Sequence, residues 1–213
     1  MKIISIDLNK DYSDEIQQII AVLNSSGTFI YPTDTLYGIG CNALNVWAVE
    51  RVFRIKERSF SKPFPILAKN IKWAKEMAHI DHKRETILEG VWPGKVTAIL
   101  PKKDVIPDIV TAKEKKIGIR VADYVFTDKL LGKFGYPIVS TSANISNEES
   151  TNDINKIIEI FSKSRYKPDL IVDVGILPES DPSIVIDLTA DKPKVLRAGP
   201  SKPDELLKIL EIQ

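Results

Sequence analysis

Short β-prone runs alternate with amphipathic helical segments along almost the whole chain. The pattern begins with a predicted strand at residues 2–8, a helix with Ser13 as its N-cap, and a buried strand at residues 28–31. Pro32 has no N–H to donate to a sheet, so we expect the second strand to end there. Strands and helices in alternation are typical of an α/β domain with a mixed sheet.

The same alternation continues to the end of the chain. Further helices are predicted from about residue 45 to the basic residues at 54–58, and at 71–78, 82–89, 127–134, after Thr151 as a cap, and at 201–210. Further strands are predicted at 64–68, 95–100, 117–121, 136–144, 170–174, 183–188 and 194–197, with a loop at 102–116. No repeat or linker interrupts the pattern, so we expect a single domain over residues 1–213.

The composition is that of an ordinary globular protein, with 43% hydrophobic and 28% charged residues. The formal net charge is +1, so a nucleic-acid surface would have to be a local patch. Cys41 is the only cysteine, which excludes an internal disulfide. No apolar run approaches the roughly 18 residues of a membrane span. We therefore expect a soluble, cytoplasmic protein that does not contact membranes.

Polar residues follow the buried strand at 28–31. Thr33, Asp34 and Thr35 place two hydroxyls and a carboxylate at its carboxyl end, and Gly38 and Gly40 allow the backbone a close approach. Ligands of open α/β sheets bind at the carboxyl ends of strands. The alternative is a turn in which the Thr and Asp side chains satisfy local backbone groups.

Three other possible sites are disfavoured by their context. Residues 38–43 have the glycine pattern of dinucleotide-binding folds, but Pro-Thr-Asp-Thr separates them from the strand, and no P-loop sequence occurs. His79 and His82 have no cysteine or carboxylate cluster beside them, so we do not expect a metal site. Cys41 has no evident base, so it is better explained as a small buried hydrophobe.

Two clusters carry groups that suit anions or nucleotides. Lys56, Arg58 and Lys62 follow a helix end, where cations also complement the helix dipole. Their convergence on one loop suits a polyphosphate or a carboxylate. The sequence Ser-Thr-Ser-Ala-Asn at 140–144 either forms an Asn-led turn or presents uncharged donors to a nucleotide or an amino acid.

Five motifs occur in the order of one known family: Tyr-Pro-Thr-Asp-Thr-Leu-Tyr-Gly, Lys-x-Arg, Ile-Gly-Ile-Arg-Val, Ser-Ala-Asn, and Val-Ile-Asp-Leu-Thr with a later Val-Leu-Arg-Ala-Gly. Over roughly residues 10–200 the chain resembles the YrdC/TsaC family of threonylcarbamoyl-AMP synthases. The resemblance implies a twisted, open mixed sheet with a concave, positively charged cavity. It also implies that L-threonine, bicarbonate and ATP give threonylcarbamoyl-AMP and pyrophosphate. A downstream transferase complex would use this product to modify tRNA adenosine.

The resemblance also implies roles for individual residues. Lys56 and Arg58 would be catalytic. ATP would be bound by Lys56, Arg58, Lys62, Lys116, Ser142, Asn144, Ser150 and Arg197. Threonine would be bound by Thr35, Arg120, Ser140 and Ser183, with Arg120 pairing with the carboxylate. The threonine carbamate must attack the α-phosphorus of ATP, so cations and Mg²⁺ with ATP would offset the repulsion between anions. The reaction needs no protein nucleophile and no metal site formed by protein side chains.

Several residues depart from the family pattern. Lys62, Leu67 and Lys116 stand where Asn, His, and Thr or Ser are frequent. Glu148 and Glu149 add negative charge beside the expected nucleotide. Lys116 and the Asp-Pro-Ser-Ile at residues 181–184 resemble a paralogous branch of less clear role, whereas Lys-x-Arg and Ser-x-Asn favour the synthase branch.

The alternative function is an RNA-binding protein of the same fold, for double-stranded RNA or tRNA. Its phosphate contacts would come from Lys113, Lys115, Lys116 and Arg120. Aromatic residues for base stacking are not clustered with these cations, which favours the synthase.

Overall fold

The computed structural model describes residues 1–180 and 182–198. Asp181 and the helix predicted at 201–210 lie outside the described residues. The described strands are β1 Lys2–Ser5, β2 Thr28–Tyr31, β3 Gly38–Cys41, β4 Ile66–Leu67, β5 Val96–Pro101, β6 Lys116–Arg120, β7 Ile138–Val139, β8 Thr141–Ser142, β9 Leu170–Asp173, β10 Ile184–Asp187 and β11 Lys194–Arg197. The described helices are α1 Ser13–Asn24, α2 Val46–Ile55, α3 Ile71–Met77, α4 His82–Val91, α5 Asp108–Thr111, α6 Val125–Phe134 and α7 Ile154–Lys163.

The described strands form two mixed sheets. The first has the order β1-β9-β2-β3-β8, in which β9 pairs in parallel with β1 and β2, and β3 pairs antiparallel with β2 and β8. The second has the order β11-β10-β5-β6-β4-β7 and contains the parallel pairs β10–β5 and β4–β6. The predicted α/β class with open, mixed pairing is confirmed, and the strands are divided between two sheets.

Helices cover both faces of the first sheet. Phe29 and Tyr31 of β2 lie in one apolar cluster with Ile16 and Leu23 of α1. Ile30 points to the opposite face and belongs to the cluster that contains the buried side of α2. Because both faces are covered, β2 is buried at every position, as its continuous apolar sequence predicts.

The chain passes from one sheet to the other at residues 138–142. β7 pairs with β4 of the second sheet, and β8 pairs with β3 of the first sheet. Ser140 lies between the two short strands, and its N–H donates to the Pro65 carbonyl at 3.0 Å. A single bridge between Asn42 and Ile138 adds a second link between the sheets. The hydroxyl-rich segment is therefore held where the two sheets meet.

Two predicted helix caps are wrong by one or two residues. Tyr12 is the N-cap of α1, and Ser13 is the first helical residue, with its hydroxyl donating to Asp11 Oδ1 at 2.7 Å. Asp153, not Thr151, caps α7 and accepts a backbone N–H of the first turn at 2.9 Å. In α7 the carboxylate is favoured because it accepts strongly and complements the positive end of the helix dipole.

The glycine-rich segment after the polar loop is predicted to pass close to a ligand as part of a loop. In the structure this segment is the strand β3. An added Cβ at Gly40 would meet the Val139 carbonyl oxygen far inside contact distance and would lie 2.8 Å from Ile138 Cγ2. The glycine is thus needed for two strands to approach each other. The predicted loop at 102–116 also differs, because it contains the short helix α5.

Gly40→Ala is expected to destabilise the fold by about 1–3 kcal/mol, because backbone rather than a flexible side chain must move to admit the methyl group. Gly132→Ala is the matched control: its added Cβ meets only the end of the Lys69 side chain, which can swing away. The measurement is urea unfolding of both variants. Equal stabilities of Gly40→Ala and the parent would show that the contact between β3 and β7 is loose.

Candidate active site

A cavity of about 490 Å³ lies where the two sheets meet. The first sheet contributes the loop between β2 and β3, and β8. The second sheet contributes alternate residues of its strands, which therefore share one face: Thr97 and Ile99 of β5, and Lys116, Gly118 and Arg120 of β6. The concave central cavity expected from the family resemblance is present.

The structure brings nine of the predicted site residues to the cavity wall: Thr35, Arg58, Lys116, Arg120, Ser140, Ser142, Ser150, Ser183 and Arg197. Lys56, Lys62 and Asn144 do not line it. Among the described wall residues the charged side chains are cations, and none is an Asp or Glu. The wall is therefore suited to anions that also need hydroxyl partners.

The loop between β2 and β3 combines local turn bonding with a position at the cavity wall. The Thr33 hydroxyl donates to the Leu36 carbonyl at 2.7 Å and accepts from the Thr35 N–H at 3.1 Å, which is the local turn bonding expected of such residues. The Thr35 hydroxyl lies 3.4 Å from Nη1 of Arg120 at the cavity wall. Thr33 thus shapes the turn and Thr35 faces the site.

Arg120 is buried and held on three sides. Its Nη2 lies 2.7 Å from each carboxylate oxygen of Asp34, and its Nε donates to the Gly94 carbonyl at 3.0 Å. Burial lowers the pKa of Arg120 and raises the pKa of Asp34, while each charge acts on its partner in the opposite direction. The ion pair fixes the guanidinium and leaves its Nη1 edge toward the Thr35 hydroxyl.

Arg58 is a half-buried residue of the cavity wall. Its Nε donates to the Lys62 carbonyl at 3.2 Å and its Nη2 to the Pro63 carbonyl at 2.9 Å. Its guanidinium carbon lies 5.0 Å from the centre of the Phe64 ring. Burial lowers the pKa of Arg58. Lys62, predicted to contact ATP, contributes a backbone carbonyl that orients Arg58, and its side chain is exposed away from the wall.

Lys56 is almost fully buried, at 1% exposure, behind the segment that carries the hydroxyls. Its Nζ donates to the Ser142 carbonyl at 2.5 Å, the Asn144 carbonyl at 2.7 Å and Asn144 Oδ1 at 3.2 Å. Burial, with the nearby charge of Arg58, lowers the pKa of Lys56 to about 7.

Asn144 organises the loop that follows β8. Its Oδ1 accepts from the Ser142 hydroxyl at 2.6 Å, and its Nδ2 donates to the carbonyls of Ile145 and Glu148 at 3.0 and 2.7 Å. The Asn-led turn interpretation therefore describes the Asn144 side chain. The alternative, a row of donors facing a ligand, fits the positions of Ser140 and Ser142 on the wall.

Ser183, directly before β10, and Arg197 of β11 are two further wall residues. Arg197 donates from Nε and Nη2 to the Ser183 carbonyl at 2.9 and 2.6 Å. The Ser183 hydroxyl lies 3.1 Å from Thr97 Oγ1. Thr97 is a wall residue that none of the sequence motifs indicates. Its polar side chain within the strand predicted at 95–100 is the signal that could have indicated it.

Tyr31 of β2 lies close to the wall residue Gly38 but does not itself line the cavity. Its side chain is fully buried, and its hydroxyl has no hydrogen-bond partner among the described residues. An added Cβ on Gly38, a wall residue, would lie 3.4 Å from that hydroxyl. Nothing in the sequence indicates an unpaired hydroxyl beside the wall here, because a tyrosine in an apolar strand usually belongs to the core.

The three sites that the sequence disfavours have the following surroundings in the structure. In the part of the chain that the structure describes, no group of three His, Cys, Asp or Glu could hold a metal, which includes His79 and His82. Cys41 is buried, and burial raises its pKa, so its thiol stays protonated. The glycine pattern at 38–43 lies in β3 rather than at a strand-to-helix turn.

A family model with the description Sua5_yciO_yrdC, "Telomere recombination", matches residues 21–199. The chain belongs to this family. It is 37% identical over 201 residues to a Methanocaldococcus jannaschii protein named "Putative threonylcarbamoyl-AMP synthase", a match that covers 93% of each chain. It is 33% identical to the threonylcarbamoyl-AMP synthase of Pyrococcus abyssi over 84% of this chain and 52% of that protein.

Solved structures of the family superpose closely on this chain. The crystal structure of Pyrococcus abyssi Sua5 complexed with L-threonine has a TM-score of 0.91 and 29% sequence identity, and it covers 99% of this chain. This chain spans 61% of that protein's length. The crystal structure of Escherichia coli YciO has a TM-score of 0.84 and 27% identity, covering 96% of this chain and 98% of YciO.

The family membership supports the enzyme interpretation over the RNA-binding alternative, because several relatives bear the name threonylcarbamoyl-AMP synthase. Two of the four cations assigned to RNA, Lys116 and Arg120, line the cavity. No helix in the described ranges is long and apolar enough to cross a membrane.

Proposed function

We propose that the chain is an L-threonylcarbamoyladenylate synthase, which joins L-threonine, bicarbonate and ATP and releases pyrophosphate. The observation that carries the proposal is the chemistry of the cavity wall. Four cations, Arg58, Lys116, Arg120 and Arg197, share the described wall with serine and threonine hydroxyls and with no carboxylate. Bicarbonate and ATP are anions and threonine brings a carboxylate, so a wall of cations and neutral donors is the environment that the reaction requires.

The threonine would bind at the end of the cavity where Thr35, Arg120 and Ser183 lie. Because Asp34 and Gly94 hold Nη2 and Nε of Arg120, the substrate carboxylate would be held by Nη1. The Thr35 hydroxyl, 3.4 Å from Nη1, would be a second donor to the same carboxylate. A relative of known structure is complexed with L-threonine, which supports an amino-acid site in this fold.

The triphosphate would bind along Arg58, Lys116 and Arg197, with Ser142 and Ser150 as neutral donors. Arg58 is already oriented by two carbonyls, and it presents its remaining N–H groups without a large reorganisation. The threonine amine and bicarbonate condense to a carbamate with loss of water, an oxygen of the carbamate attacks the α-phosphorus of ATP, and the bond to pyrophosphate breaks. The protein contributes position and charge, with no covalent intermediate.

Mg²⁺ fits the proposal only as a partner of ATP. The described wall residues supply hydroxyls but no carboxylate, and Mg²⁺ is commonly bound by one or two carboxylates together with substrate phosphates and water. Bound to the triphosphate, the metal would neutralise charge there. The downstream transferase complex, tRNA and a cytoplasmic location are likewise part of the proposal.

Pyrophosphate release is expected to require both L-threonine and bicarbonate in addition to MgATP, because the nucleophile is the carbamate that the two form together. The measurement is pyrophosphate release, with mass spectrometry to identify threonylcarbamoyl-AMP. Omission of either co-substrate and replacement of threonine by alanine are the controls. Equal release with neither co-substrate present would indicate a plain ATPase and contradict the proposal.

A further inference from the structure

We infer that Lys56 is a positioning residue: it holds residues 142–148 in shape from behind the cavity wall and does not contact ATP. The inference rests on the proposed function for the identity of the ligand, but the loop geometry that carries it does not depend on the reaction. It replaces the phosphate contact that the family resemblance implied for Lys56.

The side-chain hydrogen bonds of Lys56 all go to one segment. Its ammonium has three N–H groups, and the three acceptors are the carbonyls of Ser142 and Asn144 and the Oδ1 of Asn144. The donor capacity of the ammonium is therefore fully used. Lys56 does not line the cavity, whereas Arg58, two residues later, does.

The turn after α2 explains why the two cations face different ways. Glu57 has a positive φ of 50°, the Glu57 N–H donates to the Arg54 carbonyl, and the Arg58 N–H donates to the Phe53 carbonyl at 3.0 Å. This is the bonding of a Schellman motif, in which the left-handed residue turns the chain out of the helix. Lys56 stays with the helix and faces the loop, and Arg58 leaves toward the cavity.

The bonds of Lys56 continue to the cavity wall. Asn144 Oδ1, which accepts from Lys56, also accepts from the Ser142 hydroxyl at 2.6 Å. The amide nitrogen of Asn144 then holds the Glu148 carbonyl at 2.7 Å, two residues before Ser150. Removal of the ammonium would take one donor from each of these three acceptors and leave the Asn144 carbonyl without its donor, so Ser142 and Ser150 would be held less firmly.

The charge of Lys56 has no acidic partner. None of the ion pairs among the described residues includes it, and the charge that acts on its pKa is that of another cation, Arg58. A buried cation without a carboxylate depends on the hydrogen bonds that it makes. Lys56 and the 142–148 segment are thus mutually dependent, as expected for a structural clamp.

The test compares Lys56→Met, Lys56→Arg and the matched control Lys102→Met by hydrogen exchange without ligand. Lys102 is another largely buried lysine that donates to a carbonyl, and it lies outside the cavity wall. In Lys56→Met the amides of residues 143–148 are expected to exchange at least about tenfold faster, since local opening governs exchange there. In Lys102→Met they should exchange as in the parent.

Lys56→Arg separates the two roles even if Lys56→Met does not fold. If Lys56 contacted phosphate, arginine would keep the charge, so the contact would largely survive and ATP affinity would be retained. A planar guanidinium cannot direct three N–H groups from one nitrogen, so the clamp would fail and residues 143–148 would exchange faster. ATP affinity, measured by calorimetry, should then fall about tenfold as Ser142 and Ser150 lose their positions.

Amide exchange of residues 143–148 at the parent rate in Lys56→Arg would overturn the inference. So would exchange at the parent rate in Lys56→Met together with weakened ATP binding. Failure of the proposed function is seen separately. In that case the parent protein would release no pyrophosphate in response to threonine and bicarbonate, while the exchange result in residues 143–148 would still stand.

Discussion

Arg58→Ala is expected to lower the rate of adenylate formation about a hundredfold, because a single preorganised charge contact to the transition state contributes on the order of 3 kcal/mol. The structure places this guanidinium at the cavity wall and orients it with two backbone carbonyls and the Phe64 ring. Stability should fall by only about 1 kcal/mol, because the side chain is half-exposed and these contacts lie at the surface.

Arg58→Lys should restore part of the activity, because an ammonium keeps the charge but cannot hold two phosphate oxygens in a planar fork. Arg54→Ala is the matched control: Arg54 lies on α2, is paired with Glu50 and does not line the cavity. The measurement is adenylate formation alongside thermal melting. Full activity of Arg58→Ala would remove the central cation from the proposed ATP site.

Arg120→Ala is expected to have the largest effect on stability, about 3–5 kcal/mol, because it leaves the carboxylate of Asp34 buried without its partner. The side chains of Arg120 and Asp34 are only 10% and 9% exposed. In a domain of this size the melting temperature should fall on the order of 10 °C. Threonine-dependent pyrophosphate release should also be lost.

The deficit of Arg120→Ala should depend on pH. The pKa of Asp34 is already raised by burial above the ordinary 3.8, and removal of Arg120 takes away the largest influence that lowers it. With a folded-state pKa above the unfolded value, the carboxyl is neutral in both states at low pH and burial then carries no charge penalty. As pH rises through the folded pKa, stability is lost, so the deficit should shrink in acid and grow toward neutrality.

Asp34→Leu combined with Arg120→Met is the control for this pair. Removal of both charges together should destabilise the fold less than Arg120→Ala alone, since no buried ion is left unpaired. Thermal melting of the single and double variants across pH 4 to 8 checks both expectations. A pH-independent deficit in Arg120→Ala would show that Asp34 gains solvent when its partner is removed.

Much of the site was accessible from the sequence because its residues lie in short motifs. Thr33 and Thr35 of the polar loop, Arg58, and the serines at 140 and 142 each stand beside a predicted strand or helix end, and all line the cavity. What the motifs did not reveal is direction. Lys56 and Arg58 are two residues apart, yet the left-handed conformation of Glu57 sends them to opposite sides of the wall.

Contacts between distant residues were not accessible either. Asp34 and Arg120 are 86 residues apart, as are Thr97 and Ser183. Thr97 and Ser183 meet because β5 pairs with β10, and Asp34 and Arg120 meet because the loop after β2 of the first sheet faces β6 of the second. The spacing of polar residues along a strand indicates a face but not the residue opposite it. The division of the strands into two sheets has the same origin.

By itself, the sequence determined the local elements and hence the α/β class, because apolar periodicity and turn residues act over a few neighbours. It also determined the set of cations and hydroxyls available for anions. Only the tertiary structure decided which of these face the cavity, which of them hold the others in place, and which carboxylate is paired behind the wall. Those outcomes depend on pairing between distant strands and on burial, and neither is encoded by the residues next to each side chain in the chain.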